Sequence, residues 1–421
     1  MRCVRSTRSS GERDDPAGDG TPVRPRRGPA RPPRGLALLL VHAVVVQAIS
    51  YGVRPAISYE ILHLGLGPAW LGVATAAFAL PPLLLALPAG RIVDRVGERG
   101  MLIAGGLSLA AAAAVALVLP GSAAGLIVAT VLLGLGVLFS VVGEQAWVMR
   151  SARDDRLDFS FGLYTFATSG GQMLGPLLLL VPSPVPAAPP LTAVAGVGVV
   201  LGVAAVVLSF GVPSALARGD GVSSPGSREG VFALVRRPGV PSALVASSIV
   251  LTSLDILLAY LPLLAQERGL APAWVSAMLV ARGAATMLSR VCLSILTGRF
   301  GRRRVLVVGG LVAAIGLAFL AVPLPPLALT AAIAAYGLAA GTVQPLTMSW
   351  MTLITPPAER GTAASLRLVG NRIGQSAIPL VVAGASAAAG ATGVFLLMGG
   401  ALVGAAAMSR AAPDGPDLQA D

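Results

Sequence analysis

The sequence predicts an all-α integral membrane protein whose twelve transmembrane helices form two pseudo-symmetric six-helix bundles. Its composition is the first observation, with 55% apolar and only 12% charged residues in 421 and a mean hydropathy of +0.80. The others are twelve long apolar runs and an internal repeat. A soluble enzyme is excluded, because too few polar side chains remain to cover the two or three domains of a soluble chain this long.

The twelve predicted helices are apolar runs of the length that crosses a membrane, since about 20 residues span the roughly 30 Å hydrocarbon layer. They comprise residues 36–59, 70–89, 101–119, 123–147, 160–181, 191–211, 240–264, 274–296, 305–323, 327–349, 362–386 and 391–408. Breaks rich in Pro and Gly separate them, such as Pro120-Gly121.

Five segments follow from these runs. We expect a disordered Arg- and Pro-rich cytoplasmic tail at 1–34, an N-terminal bundle at 35–211, a cytoplasmic linker at 212–239, a C-terminal bundle at 240–408 and a cytoplasmic tail at 409–421.

The arginines orient the chain, because cytoplasmic loops of membrane proteins carry the excess of basic residues. With the N-terminus inside, the predicted cytoplasmic segments hold 25 Arg and the opposite loops only Arg268. A multi-pass protein of the cell (cytoplasmic) membrane, with both termini in the cytoplasm, is therefore predicted. Topology accounts for most of the net charge of +12, so nucleic acid is not an expected partner.

The two halves of the chain resemble each other at an offset of about 204 residues. Residues 65–70, with the sequence GLGPAW, recur as GLAPAW at 269–274. Arg95-Val96-Gly97 recurs as Arg-Phe-Gly at 299–301, and Gln172 corresponds to Gln375. Two related six-helix bundles explain these matches.

The segment between the second and third predicted helices resembles the signature loop of the major facilitator superfamily. Its matching residues are Gly90, Asp94, Arg95, Gly97 and Arg99. The resemblance implies the fold of that superfamily and alternating-access transport, with this loop closing the cytoplasmic side in one state. The second copy has Gly298 in place of Asp94, so an asymmetric lock is expected.

The fifth predicted helix is similar to the antiporter motif of drug:proton exchangers of that superfamily. Gly162, Gly171, Gly175 and Pro176 carry the resemblance, while Leu179-Leu180 stands where a Gly pair is expected. Many of these antiporters also have an Arg where this chain has Thr130. The alternative is that the small residues only let two helices pack closely.

Ionisable groups inside the membrane are site candidates, because each costs at least about 2.5–3.5 kcal/mol at mid-helix. They are Arg54, Glu144, Asp255, Arg282, Arg290, Arg367 and Arg372. We expect Asp255, and as second choice Glu144, to carry protons. We also expect Arg54 to pair with Asp255 when the outer side closes, the alternative being a permanent structural pair. Glu144 is alternatively a helix-end charge at the headgroups.

Polar stripes on the predicted helices supply the remaining candidates for contacting substrate or gating. They comprise Gln47, Tyr51 and Arg54 on the first helix, Gln172 on the fifth, Arg282 on the eighth, and Asn371, Arg372 and Gln375 on the eleventh. For the two glutamines Gln172 and Gln375, hydrogen bonding between helices is the competing interpretation.

These observations favour proton-coupled efflux of a small organic compound by a monomeric secondary transporter in the lipid bilayer. The surplus of embedded Arg over acids leaves uptake or exchange of an organic anion as an alternative. A non-transporting receptor or scaffold is the third. No enzyme activity, cofactor or metal site is expected; the only two histidines, His42 and His63, have no metal-ligand cluster around them in the sequence.

Overall fold

The computed structural model describes residues 35–151, 157–182, 189–213, 234–355 and 360–412, and these contain α-helices and short 3₁₀ segments but no β-strand. The expected tail at 1–34, most of the linker and most of the C-terminal tail lie outside the described residues.

Five helices are found in the described part of the N-terminal half. They are α1 (Leu36–His63), α2 (Ala69–Val118), α3 (Ala123–Ser151), α4 (Leu157–Leu174), which continues as a 3₁₀ helix (Gly175–Leu180), and α5 (Leu191–Gly211).

Five more helices make up the C-terminal half. They are α6 (Val240–Glu267), α7 (Pro272–Phe300), α8 (Arg302–Ala318) with a 3₁₀ turn (Phe319–Ala321), α9 (Pro326–Leu353) and α10 (Arg360–Met408), which ends in a 3₁₀ turn (Ser409–Ala411).

Helices α2 and α10 are each interrupted at one glycine. Gly97 (φ 75°, ψ 167°) and Gly390 (φ 58°, ψ −162°) have non-helical backbones, which divide these helices of 50 and 49 residues in two. An unbroken helix of 50 residues would be about 75 Å long, far more than the roughly 30 Å of hydrocarbon. The sequence predicts a loop over residues 90–100, whereas the backbone there stays helical on both sides of Gly97.

Nine helices within the described ranges are long and apolar enough to cross a membrane, and Ala69–Leu85 is a shorter apolar helix. Many large apolar side chains on their outer faces are exposed, among them Leu84, Val200 and Val381. An apolar exterior of this kind requires lipid rather than water as solvent.

The two halves pack against each other through α2 with α10, α4 with α7, and α1 with α6. Gly72 and Gly283 lie at two of these crossings. A Cβ on Gly72 would lie 2.5 Å from the carbonyl oxygen of Pro379, and one on Gly283 would lie 2.7 Å from Cα of Met173. Only glycine allows the backbones to come so close.

The ends of the helices define two sides of the molecule. We call the side at which α1 and α6 begin the terminal side; it includes Gly35 and Gly239. The side at which α1 and α6 end, near His63 and Glu267, is the opposite side. The contacts at Gly72 and the hydrogen bond from Ser276 to the carbonyl of Pro176 join the halves toward the opposite side.

Candidate functional site

A chain of charged and polar side chains links the two halves at the level of Asp255. Arg54 of α1 donates from Nη1 to one oxygen of Asp255 at 2.8 Å, and Gln375 of α10 donates from Nε2 to the other at 2.8 Å. Arg372 in turn donates to Oε1 of Gln375 at 2.9 Å. The structure thus brings four of the candidates from three helices into one network, which we call the Asp255 network.

The Asp255 network holds two guanidinium groups for one carboxylate. Arg54 and Asp255 are each more than nine-tenths buried. Both oxygens of Asp255 accept a hydrogen bond, and one of the two donors is a cation. Nη2 of Arg54 and Nε of Arg372 are buried without a hydrogen-bond partner among the described residues.

The Arg54 guanidinium also lies over the ring of Phe78, with Cζ 4.0 Å from the ring centroid. A small cavity beside it is lined by Ser58, Thr75 and Thr130, among others. Each of these three hydroxyls donates to a carbonyl of its own helix. Each hydroxyl can still accept a hydrogen bond, so the lining of this cavity suits water as a partner of Arg54.

A larger cavity lies between the halves on the other side of Tyr51, and we call it the central cavity. Its empty space, including the part open to solvent, is about 530 Å³. Tyr51 and Gln172 of the N-terminal half line it together with residues of α6, α7 and α9. Its charged lining residues are Arg282 and Arg290, and no Asp or Glu is among the residues that line it.

Arg282 is held in the wall of the central cavity by close packing of α7 on α9. A Cβ on Gly337 would lie 2.5 Å from the Arg282 carbonyl oxygen, so glycine at 337 permits the crossing. The Arg282 guanidinium lies 5.2 Å from the ring centroid of Tyr51. Arg282 is 2% exposed, and its Nε and Nη2 have no hydrogen-bond partner among the described residues.

The remaining members of the polar stripes have different surroundings. Gln47 is buried on α1 beside Gly171 of α4. Asn371 is buried on α10, and its Oδ1 has no hydrogen-bond partner in the described part of the chain. Arg367 donates to the hydroxyl of Ser247 at 3.1 Å.

Glu144 lies outside the central cavity and outside the Asp255 network. It is completely buried on α3, with Oε1 2.8 Å from Nδ1 of His42 and Oε2 accepting the Tyr164 hydroxyl at 3.0 Å. From the sequence, His42 is considered only as a possible metal ligand, and Glu144 is not identified as its partner. The partners are 102 residues apart in sequence, so no local pattern reveals the contact. Their similar distance from the terminal side of their helices is the signal that could have indicated it. His42 is about 9 Å into α1, and Glu144 is about 10 Å from the end of α3.

The signature segment forms the helical turn around Gly97 on the terminal side. Its Arg99 donates from two nitrogens to the Val212 carbonyl at 3.1 and 2.9 Å, while Arg95 is exposed. The side chain of Asp94 lies outside the described part, and Gly90 has a helical backbone.

The glycines of the antiporter-like motif lie mainly where α4 meets α1. A Cβ on Gly171 would overlap the carbonyl oxygen of Val44, and one on Gly175 would lie 2.5 Å from that of Ala48. Pro176 follows within the 3₁₀ segment, and Gly162 has open space around it. Close packing of helices therefore accounts for Gly171 and Gly175.

Comparison with known proteins agrees with this architecture. The family profile described as Major Facilitator Superfamily matches residues 39–291 and 243–418. Among solved structures, a mutant of the peptide transporter POT is 18% identical with a TM-score of 0.72, and the match covers 90% of this chain and 94% of that one. No curated protein matches the chain in sequence.

Two further transporters have similar structures. A mutant of the nucleoside transporter NupG is 13% identical, with a TM-score of 0.72 and coverage of 89% of this chain and 98% of its own. The human organic anion transporter MFSD10 is 15% identical, with a TM-score of 0.64 and coverage of 90% and 100%. At these identities the similarity establishes a common fold.

Proposed function

This chain belongs to the major facilitator superfamily, and on that basis we propose that it exports a small organic anion or zwitterion across the cell membrane in exchange for protons. The observation that carries the substrate class is the lining of the central cavity. Its two charged residues, Arg282 and Arg290, are both cations, and Arg282 has buried nitrogens without hydrogen-bond partners in the described structure.

The chemistry of the cavity fits a compound with a carboxylate or phosphate-like group. A guanidinium stays protonated and binds such a group through two parallel hydrogen bonds. The apolar and aromatic lining, including Tyr51, Leu254 and Tyr336, suits the organic remainder. A lipophilic cation would instead need a carboxylate, and none of the described residues that line the cavity supplies one.

We propose that transport proceeds by rocking of two bundles of six helices each, counted by dividing α2 at Gly97 and α10 at Gly390. The terminal side is the cytoplasmic one in this proposal, as the distribution of arginines indicates. The contacts between halves near Gly72 and Ser276 then belong to a conformation that is closed to the outside.

Proton coupling is proposed at Asp255. When the outside opens, Arg54 on α1 and Asp255 on α6 must separate because they belong to different halves. The carboxylate then loses its cation and takes up a proton more readily. Closure returns Arg54 to Asp255 at hydrogen-bond distance, which favours release of that proton on the terminal side.

Binding measurements test the substrate class. The purified full-length protein in detergent is screened by thermal stabilisation against a panel of aryl and alkyl carboxylates, phosphonates, amino acids and quaternary amines. We expect anions or zwitterions to stabilise it. Arg282→Gln is expected to lose at least tenfold in affinity for the best ligand, whereas Arg304→Gln, at an exposed position in the first turn of α8, retains it. Selective stabilisation by quaternary amines, or equal affinity in Arg282→Gln, would refute the proposal.

Transport measurements test direction and coupling. Proteoliposomes are loaded with the best ligand from the panel, and an inwardly directed proton gradient is imposed. Export in exchange for protons predicts faster ligand efflux with the gradient than without it. Efflux that is slowed by this gradient would instead indicate uptake together with protons, and indifference to pH would exclude proton coupling.

A further inference from the structure

A second cluster of buried ionisable side chains occurs in the N-terminal half, apart from the central cavity and the Asp255 network. It consists of His42 on α1, Glu144 on α3 and Tyr164 on α4, and we call it the His42 site. The carboxylate of Glu144 contacts Nδ1 of His42 at 2.8 Å and accepts the Tyr164 hydroxyl at 3.0 Å. His42 and Glu144 are 0% exposed and Tyr164 is 4% exposed.

Apolar side chains surround much of the His42 site, and Gln145 is a polar neighbour of the Tyr164 hydroxyl. Tyr164 belongs to a buried cluster that contains Leu39, Ala43, Leu102 and Trp147. No hydrogen-bond partner for Nε2 of His42 is present in the described part of the chain. The site is therefore a desolvated pair of titratable groups with one vacant nitrogen.

Apart from His42, no ion-pair partner of Glu144 is found among the described residues. On α2, Glu98 accepts a hydrogen bond from Arg150 of α3 at 2.7 Å, and Arg99 donates to the carbonyl of Val212. From the other half, Arg290 of α7 lies within electrostatic range of Tyr164. Helix α5 contains no charged residue.

The charge of the site follows from these contacts. With Glu144 ionised and His42 neutral, the Nδ1–H of His42 and the hydroxyl of Tyr164 both donate to the carboxylate, and the net charge is −1. A net charge in a desolvated region of a membrane protein is costly. One more proton gives either an imidazolium–carboxylate pair or an imidazole–carboxylic acid pair, and both have a net charge of zero.

We propose that the His42 site is a second proton-binding site, which exchanges one proton with water on the terminal side while the protein is closed on the opposite side. The proton adds at the vacant Nε2 of His42 or at Glu144 and is shared across their contact, so that the site changes from −1 to neutral. This inference rests on the proposed function in one respect, namely that proton binding serves transport.

Binding of this proton changes the electrostatic field at the wall of the central cavity. Tyr164 lies on α4, two turns before Gln172, which lines the cavity. Arg290 lies on the cavity wall opposite α4 and is attracted to the site only while its charge is −1. The protonation state of the His42 site therefore alters the attraction between α4 and α7, one from each half.

The two histidines of the chain permit a direct test. His63 is exposed at the end of α1, so the His63→Gln variant leaves His42 as the sole imidazole of the protein. Histidine labelled with ¹⁵N is followed by NMR in lipid nanodiscs as the pH is varied. We expect the His42 signal to titrate and Glu144→Gln in the same background to weaken its proton affinity at least tenfold, since the carboxylate that stabilises the imidazolium is lost.

Tyr164→Phe provides a second variant, which is expected to change the proton affinity of the site in the opposite direction. It removes the donor to Oε2 of Glu144, so the carboxylate becomes more basic and the proton affinity of the site rises. A His42 signal that is constant from pH 5 to pH 9, or a titration that neither variant moves, would overturn the proposal. If Glu144→Gln does not fold, the His63→Gln titration and the Tyr164→Phe shift decide it.

This titration uses no substrate, so its outcome is separate from that of the transport proposal. Titration of His42 with no anion binding would overturn the proposed function and leave the proton site in place. Anion transport driven by protons with a silent His42 would overturn the proton site alone.

Discussion

Replacing Asp255 by Asn removes the carboxylate that balances Arg54 while nearly preserving shape. The asparagine still accepts one hydrogen bond, but Arg54 remains buried as a cation, with Arg372 joined to the same network through Gln375. Removing one partner of a buried ion pair costs about 3–5 kcal/mol, because the other charge is left uncompensated.

Asp255→Asn raises the free energy of the conformation in which Arg54 is buried. When the halves separate on the opposite side, water reaches the guanidinium and the lost carboxylate matters little. Taking about 3 kcal/mol as the difference, and about 1.4 kcal/mol for each factor of ten, the equilibrium shifts roughly 100-fold toward opening on the opposite side. A shift of that size is large enough to change the majority conformation.

Distance measurements by electron spin resonance detect this shift. His63 and Gln266 are exposed at the ends of α1 and α6, one in each half, and serve as labelling positions after substitution by cysteine. The native Cys3 and Cys292 are first replaced by serine. We expect a single short distance with Asp255 present and a population at longer distance in Asp255→Asn.

The double variant Arg54→Gln/Asp255→Asn is the matched control. Both charges of the pair are then absent, so no uncompensated cation remains at position 54, and the short distance is expected to return in large part. The reasoning is refuted if Asp255→Asn leaves the distance distribution unchanged, or if the double variant opens further than the single one.

Two further predictions concern backbone positions and are measured as thermal unfolding in detergent. Gly171→Ala is expected to lower stability by about 1–3 kcal/mol because its methyl group overlaps the Val44 carbonyl, while Gly162→Ala on the same helix, with open space around it, does not; equal effects would contradict the packing role of Gly171. Gly97→Ala is expected to cost about 1–3 kcal/mol because φ is 75° there, while Gly121→Ala, whose Cβ would meet nothing within 4 Å, serves as control; a neutral Gly97→Ala would show that the turn tolerates a side chain.

The positions of the helices and of the charges inside the membrane can be predicted from the sequence, because the hydrocarbon solvent makes both recognisable. Apolar runs mark the helices since hydrocarbon offers no hydrogen bonds to an unfolded backbone. Arg54 and Asp255 are conspicuous for the same reason, and the repeat offset places them on corresponding helices. The offset of 204 residues maps Arg54 onto position 258, one helical turn from Asp255. In the structure the two side chains are in contact at 2.8 Å.

Other features depend on packing between distant segments, which sequence patterns do not encode. The helical backbone around Gly97 continues where a loop is predicted, because a single positive φ suffices to change direction. Gln172 and Gln375, mates in the repeat, have different roles in the structure. Gln375 bonds Asp255, whereas Gln172 lines the central cavity. The internal symmetry of the sequence therefore predicts position but not partner.

Helix α1 is the element that connects the two ionisable sites. It carries His42 and Arg54, which are 12 residues or about 18 Å apart along the helix. Gly171 and Gly175 let α4 pack closely against Val44 and Ala48 of α1 over the same stretch. The cation of the Asp255 network and the whole of the His42 site thus belong to the N-terminal half, while Asp255 and Arg290 belong to the other. In the proposed rocking of the halves, Arg54 separates from Asp255 and Arg290 changes its distance from the His42 site, so the proposed proton binding at either site alters the energy of the same motion.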